Sequence, residues 1–166
     1  MNEEIYQLTE ADCQAKYRYE LETITTGNSK THYEFYDFAP RAFALIRKIY
    51  NIDPADYLKS IGPEKLFGAL NMGKITSLAS QCSAGKSGSL FFYTADGNFL
   101  LKTIPHREFE HFKRILNSYY MHLLSYPHSM VTRFFGLHKI KFNKASRTER
   151  IYFVIMANAF NTTREV

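Results

Sequence analysis

The segment from Gly88 to Ile104 reads GSLFFYTADGNFLLKTI and contains two apolar arms around a short polar turn. Aromatic and aliphatic residues fill both of its arms, a composition that favours half-buried strands. The pair Asp96-Gly97 between the arms is a strong short-range signal for a β-hairpin. Residues 88–94 and 99–104 are therefore predicted to be antiparallel strands joined by a tight turn.

A long amphipathic helix is predicted directly after the hairpin, at 106–125. Its apolar residues recur three or four positions apart, as one face of a helix requires. They are Phe109, Phe112, Leu116, Tyr119 and Leu123. Pro127 closes the helix because proline cannot continue it.

Shorter elements flank this centre. Strands are predicted at 17–25, 32–38, 131–142 and 150–156, with a polar loop at 143–149 joining the last two. Short helices are predicted to begin at Pro40, Pro54 and Pro63, since proline suits the first helical turn. The fold class is α+β, with an antiparallel sheet, one long helix and short flanking helices.

Composition excludes several classes of protein. The chain has 166 residues, of which 45% are hydrophobic, so it can bury a core and is neither disordered nor collagen-like. Two cysteines, Cys13 and Cys82, exclude a disulfide scaffold and a CxxC zinc site. The six histidines show no spacing typical of a metal site.

The positive charge is concentrated in one region. The net charge is +5, yet residues 102–150 alone hold ten Lys or Arg against three Asp or Glu. This excess indicates an anionic partner, such as a nucleotide, a nucleic acid or an acidic lipid, or else a solvated basic face. A basic nucleic-acid-binding domain is disfavoured because no recognised binding motif is present.

Two interpretations compete for the glycine-rich segment 83–89, SAGKSGS. A phosphate-binding Walker A loop has a glycine at its first position and leads into a helix. Here Ser80 occupies that position, and the segment leads into a predicted strand. The alternative is a kinase-type loop between two strands, in which glycines let backbone N–H groups approach phosphates.

A kinase-type loop needs two further groups, and both follow in order. Lys102 lies on the return strand, where a lysine can neutralise phosphates. Glu108 and Glu110 lie in the first turns of the next helix, from which a glutamate can hold that lysine. Glutamate there also complements the helix dipole, so a purely structural role is the alternative.

Jointly, several segments resemble the phosphatidylinositol phosphate kinase family, in family order from about residue 32 to 162. They are FAP at 38–40, Phe43, Arg47, Ile52-Asp53, Asp56-Tyr57-Leu58, Ser60, GKSGSLFF at 85–92, LKTI at 101–104, Ile115-Leu116, Tyr119-Tyr120, FFGL at 134–137 and FVIMANAF at 153–160. The resemblance implies a lipid kinase that uses ATP, with Mg, to phosphorylate the inositol ring of a phosphoinositide.

The resemblance also implies roles for particular residues. Residues 85–89 would cover the ATP phosphates, namely Gly85, Lys86, Ser87, Gly88 and Ser89. Lys102 would contact the phosphates, with Glu108 as the first choice to pair with it and Glu110 as the second. Met156, Ala157 and Asn158 would form the hinge beside adenine. Ala157 departs from the family, which usually has asparagine there.

The predicted domain organisation is an amino-terminal extension, 1–31, and an ATP-binding lobe, 32–166. The family's catalytic aspartate lies in an Asp-Leu-Lys-Gly segment after the hinge, and its magnesium ligands lie later still. These 166 residues contain neither, so the isolated chain is expected to be inactive.

Partners and location are also expectations. The resemblance implies peripheral binding at the cytosolic face of an anionic membrane, with a homodimer through this lobe. The alternative is a non-enzymatic module for membrane docking or dimerisation. The basic residues available for a membrane are Lys113, Arg114, Arg133, Lys139, Lys141, Lys144, Arg147 and Arg150.

Overall fold

A computed structural model of the chain describes residues 7–25, 29–62, 89, 91–144 and 147–158. The helices within them are α1 (Glu10–Gln14), α2 (Pro40–Ile49), α3 (Pro54–Ile61) and α4 (His106–Ser125). The strands are β1 (Lys16–Thr25), β2 (Ser29–Phe38), β3 (Phe91–Tyr93), β4 (Phe99–Ile104), β5 (Phe134–Lys144) and β6 (Arg147–Ala157). The predicted α+β class is confirmed.

The strands form one antiparallel sheet in the order β1-β2-β5-β6-β4-β3. Cross-strand partners share a face of a sheet, so the register fixes which side chains can meet. Lys102 in β4 is opposite Val154 in β6 and Phe91 in β3. Val154 is in turn opposite Leu137 in β5, which is opposite Phe38 in β2.

Helix α4 packs on the face of the sheet that carries this row, here called the helix face. The ring of Phe109 lies 4.8 Å from that of Phe38 and 4.6 Å from that of Tyr152, which points the same way as Val154 two residues on. The buried stripe of α4 is Phe109, Phe112, Leu116, Tyr119, Tyr120 and Leu123. Burial of each such side chain stabilises the fold by roughly 1.5–3 kcal/mol.

Helices α2 and α3 secure the start of β5. The Arg47 guanidinium donates to the Phe135 carbonyl at 2.6 Å, and the Tyr57 hydroxyl donates to the same oxygen at 3.2 Å. Phe135 stands at a β-bulge between Phe134 and Gly136, where β5 shifts register against β6. A bulge leaves one residue outside the ladder, and these two donors satisfy its carbonyl.

The amino-terminal segment contributes to the same sheet. Strand β1 pairs with β2 from Lys16 to Thr25, and the Ala39 N–H donates to the Ala15 carbonyl at 2.8 Å. Helix α1 begins with a capping box between Thr9 and Asp12. The division into an extension, 1–31, and a lobe, 32–166, remains a prediction.

Several predicted boundaries were wrong. The strand predicted at 32–38 begins at Ser29, and within the described residues the strand predicted at 88–94 covers Phe91–Tyr93. The strand predicted from residue 131 begins at Phe134, because the Tyr119 hydroxyl donates to the Thr132 carbonyl and accepts from the Phe134 N–H. The predicted loop 143–149 is mostly strand, since β5 runs to Lys144 and β6 begins at Arg147. The helix predicted from Pro63 lies outside the described residues. Within the described ranges, no helix is long and apolar enough to cross a membrane.

Candidate functional site

Lys102 occupies the centre of the candidate site. It lies half-buried on the helix face of β4, between β6 and β3. Its Nζ is 5.6 Å from the centroid of the Phe91 ring, a distance at which an ammonium group is attracted to the ring face. In the part of the chain that the structure describes, no carboxylate lies within 4.0 Å of this Nζ. The ammonium group of Lys102 is therefore stabilised by an aromatic ring on the neighbouring strand β3.

The two glutamates proposed as its partner lie elsewhere. Glu108 is exposed in the first turn of α4. The Glu110 carboxylate lies 3.5 Å from His106 Nε2 and 3.4 Å from Lys113 Nζ, both on its own helix. The structure does not bring either glutamate to Lys102, so the pairing with Glu108 stays a prediction.

Of the predicted phosphate-covering loop, the structure describes one residue, Ser89. Gly85, Lys86, Ser87 and Gly88 lie outside the described residues. Ser89 is described and is half-buried, two residues before β3 begins. What the structure does give is the strand that such a loop would enter, paired with the strand that carries Lys102.

The predicted hinge is attached to neighbouring backbone. Met156 pairs with Leu100 in β4 and with Phe134 in β5. The Ala157 N–H donates to the Arg133 carbonyl at 3.0 Å, and the Asn158 N–H donates to the Asn98 carbonyl at 3.1 Å. Both amides are thus engaged within the protein. An adenine base placed here would need another donor or would have to displace one of these bonds.

Asn158 also fastens the hinge to the β3–β4 hairpin with its side chain. Its Nδ2 donates to the Gly97 carbonyl at 2.6 Å. Gly97 has φ +71°, a left-handed conformation that glycine adopts readily. The hinge and the hairpin turn are therefore linked by two hydrogen bonds, one from backbone and one from side chain.

Asp96 was predicted only as part of the hairpin turn, and its contacts near the candidate site were not predicted. Its carboxylate accepts hydrogen bonds from Ser60 of α3, from Thr94 at 2.6 Å and from the Asn98 backbone and side chain at 3.2 and 3.0 Å. Partial burial acts to raise the pKa of the Asp96 carboxyl, but these hydrogen bonds outweigh it and hold the pKa below its usual range. The network fixes the hairpin against α3.

The helix face carries a second polar region on β1, β2 and β5. The Glu34 carboxylate accepts from Lys141 Nζ at 2.7 Å and from the Tyr36 hydroxyl. Hydrogen bonds from Lys141 and Tyr36 lower the pKa of Glu34 to about 2. Lys139 and Lys141 lie on the same face, as their alternation predicted.

Known proteins match the chain across this region. A family model described as Phosphatidylinositol-4-phosphate 5-Kinase matches residues 73–166. The chain is 35% identical over 145 residues to a phosphatidylinositol 4-phosphate 5-kinase of Plasmodium falciparum, covering 86% of this chain and 8% of that protein. It is 33% identical over 163 residues to phosphatidylinositol 4-phosphate 5-kinase its3 of Schizosaccharomyces pombe, covering 96% and 20%.

A third relative agrees. A probable phosphatidylinositol phosphate kinase of Dictyostelium discoideum is 37% identical over 143 residues, covering 86% of this chain and 19% of the relative. The chain thus spans between 8% and 20% of the length of these three proteins. The family match includes the glycine-rich loop, Lys102, Glu108 and the hinge. The resemblance inferred from the motifs is confirmed, and the chain belongs to the phosphatidylinositol-4-phosphate 5-kinase family.

Proposed function

We propose that the chain supplies the ATP-binding lobe of a phosphatidylinositol phosphate kinase. The enzyme would transfer the γ-phosphate of ATP to a hydroxyl of a phosphoinositide. The observation that carries this proposal is the position of Lys102. It projects from the return strand of the hairpin on the same face as the predicted hinge residue Met156, with the predicted glycine loop entering the neighbouring strand.

The chemistry assigned to these residues is charge neutralisation and positioning, which dominate catalysis of phosphoryl transfer. The Lys102 ammonium would bind phosphate oxygens, and N–H groups of 85–89 would cover them. The inositol oxygen would form the new bond to phosphorus while the bond to the leaving ADP oxygen breaks. The inositol proton would pass to the family's catalytic aspartate, in the Asp-Leu-Lys-Gly segment.

Magnesium would supply positive charge that offsets the charge of the phosphates when ATP is bound. Among the described residues, no group of three or more His, Cys, Asp or Glu side chains can hold a metal ion. We therefore assign no magnesium ligand to them. The 166 residues contain no Asp-Leu-Lys-Gly segment, so by themselves they are expected to give no turnover in the assay described next.

The test is transfer of labelled phosphate from ATP to phosphatidylinositol 4-phosphate by the full-length protein. Lys102→Ala should lower kcat/KM at least about 100-fold, as loss of a charge that stabilises a transition state does. Lys59→Ala, on α3, removes the same charge from an exposed lysine paired with Asp56 and should leave the rate unchanged. Equal rates for wild type and Lys102→Ala, with both proteins folded, would contradict the proposal.

Membrane contact is the second part of the proposal. The basic excess of 102–150 supports peripheral binding to the cytosolic face of an anionic membrane, because each Lys or Arg near such a surface contributes about 1 kcal/mol. Binding of the full-length protein to acidic vesicles should fall steeply with salt. A dimer through this lobe would be supported by β1, an edge strand of ten residues with Tyr17 and Tyr19 exposed.

A further inference from the structure

Three lysines converge on one pair of aromatic rings on the helix face, away from the predicted nucleotide site. The rings are those of Tyr36 and Phe38, which stack with centroids 6.4 Å apart on β2. Lys139 Nζ lies 3.7 Å from the Tyr36 centroid and 5.9 Å from that of Phe38. Lys16 Nζ lies 5.6 Å from the Tyr36 centroid, and Lys113 Nζ lies 5.7 Å from that of Phe38.

The three ammonium groups come from three different elements of the fold. Lys16 is the first residue of β1 and is opposite Phe38, while Lys139 in β5 is opposite Tyr36. Lys113 comes from α4 above the sheet. Packing of a strand at the sheet edge, a central strand and a helix has therefore placed three positive charges around one aromatic platform.

Of the two acidic groups nearby, Glu34 is engaged outside the cluster, whereas Glu110 pairs with Lys113 of the cluster itself. Glu34 pairs with Lys141 at 2.7 Å, and Glu110 pairs with Lys113 at 3.4 Å. Across the described residues, no carboxylate lies within 4.0 Å of the ammonium of Lys16 or Lys139. The cluster thus holds more positive than negative charge.

Burial and the neighbouring positive charges both affect the pKa of Lys139. Its side chain is half-buried, and burial lowers the pKa of its ammonium. The charges of Lys16, Arg150 and Lys141 lower that pKa further, while the Glu34 carboxylate acts to raise it. The Tyr36 ring offsets part of the cost of a half-buried ammonium next to like charges, and an anion paired with that ammonium would offset more of it. Oxygens of an anion can accept charge-assisted hydrogen bonds from several ammonium groups at once.

We infer that Lys16, Lys113 and Lys139 form a binding site for a phosphate group, with Tyr36 and Phe38 as its floor. The ligand chemistry is a compact, multiply charged oxyanion, carried either by a soluble phosphate compound or by a lipid headgroup. The site uses none of the residues assigned to ATP. The proposed phosphate site can therefore be tested separately from the proposed kinase activity.

The first arm of the test is titration of the full-length protein with inorganic phosphate at constant ionic strength, with chloride replaced. Side-chain NMR of the lysines reports binding. We expect saturable shifts and a rise in the pKa of Lys139. Lys139→Gln should weaken phosphate binding by about tenfold, the effect of losing one charge-assisted hydrogen bond. Lys59→Gln, the matched charge control on α3, should bind as wild type does.

The second arm identifies the source of the phosphate. Phosphatidylcholine vesicles with and without phosphatidylinositol 4-phosphate are compared for binding to wild type, Lys139→Gln and Lys139→Arg. Binding that depends on Lys139 in either arm supports the site, and the stronger arm identifies a soluble or a lipid ligand. Lys139→Arg keeps the charge and should restore part of the affinity. Equal binding by wild type, Lys139→Gln and Lys59→Gln in both arms, with all three folded, would overturn the inference.

Discussion

The Asp96 carboxylate accepts four hydrogen bonds beside the candidate site. It collects donors from α3 and from both sides of the hairpin turn. Lys102 lies six residues further along, on the strand that leaves this turn. The position of the lysine therefore depends on a carboxylate that has no chemical role in the proposed transfer.

Asp96→Ala is expected to destabilise the fold by about 1 kcal/mol, because Thr94 and Asn98 can turn to water and the buried Ser60 hydroxyl keeps its hydrogen bond to the Asp56 carbonyl. Asp56→Ala removes an exposed carboxylate paired with Lys59 and should cost about 0.5 kcal/mol or less. Urea unfolding of both variants measures the difference. Equal losses of stability would show that the Asp96 network does not hold the hairpin.

Glu34 makes the stability of the sheet depend on pH. Its folded pKa of about 2 lies below the ordinary value of 4.5, so its contribution is fully present above pH 4.5 and is lost as the pH falls toward 2. In Glu34→Gln, the free energy of unfolding should fall less between pH 4.5 and 2 than it does in wild type. Acid titrations followed by circular dichroism measure this. Parallel curves for the two proteins would contradict the assignment.

At the scale of elements, the start of β5 depends on contacts made by α3 and α4. Gly136 follows the bulge and lies close to His138 and Tyr57. A Cβ at Gly136 would come 2.5 Å from His138 Nε2 and 2.8 Å from Tyr57 Oη. Both side chains are buried, so neither can move aside freely.

Gly136→Ala should therefore cost roughly 1–3 kcal/mol through overpacking. Thermal unfolding measures this loss of stability, with Gly97→Ala as the comparison. A Cβ at Gly97 would meet open space, so only the left-handed backbone is strained there, and the expected loss of stability is about 1 kcal/mol. Adding Tyr57→Phe to Gly136→Ala removes one of the two clashing atoms. If the double variant is less stable than the sum of the two single changes predicts, the steric explanation is wrong.

Tyr119 connects α4 to the same strand start through its hydroxyl. Tyr119→Phe would leave the Thr132 carbonyl and the Phe134 N–H without that partner, which costs about 1–3 kcal/mol where the groups are buried. Tyr126→Phe, at a side chain that is 64% exposed, is the matched control and should change stability by less than about 0.5 kcal/mol. Urea unfolding distinguishes the two variants. A Tyr119→Phe protein as stable as wild type would exclude the bridge.

Across the whole molecule, the sequence pattern predicted the elements whose formation depends on neighbouring residues in the chain. The helix at 106–125 was predicted at its observed bounds because its apolar repeat is unbroken between two prolines. Helix α1 was missed because five residues are too short for periodicity, although the Thr9–Asp12 capping box is a visible signal. The contact from Ser60 to Asp96 joins residues 36 apart, and no local pattern specifies it.

In the candidate site, too, some features follow from local sequence and others depend on contacts between distant residues. The strand that carries Lys102 follows from the hairpin signal, and its neighbours follow once the sheet order is known. The helix position of Glu110 was predicted, but its pairing with His106 and Lys113 depends on competition among side chains on one helix. The engagement of the Ala157 and Asn158 amides depends on Arg133 and Asn98, residues remote in sequence.

Calorimetric titration of ATP into the full-length protein measures whether Lys102 belongs to an ATP site. Wild type should bind ATP, and Lys102→Ala should bind at least about tenfold more weakly because a charge-assisted contact with phosphate is lost. Lys59→Ala should match wild type. Indistinguishable ATP affinities for wild type and folded Lys102→Ala would contradict the account.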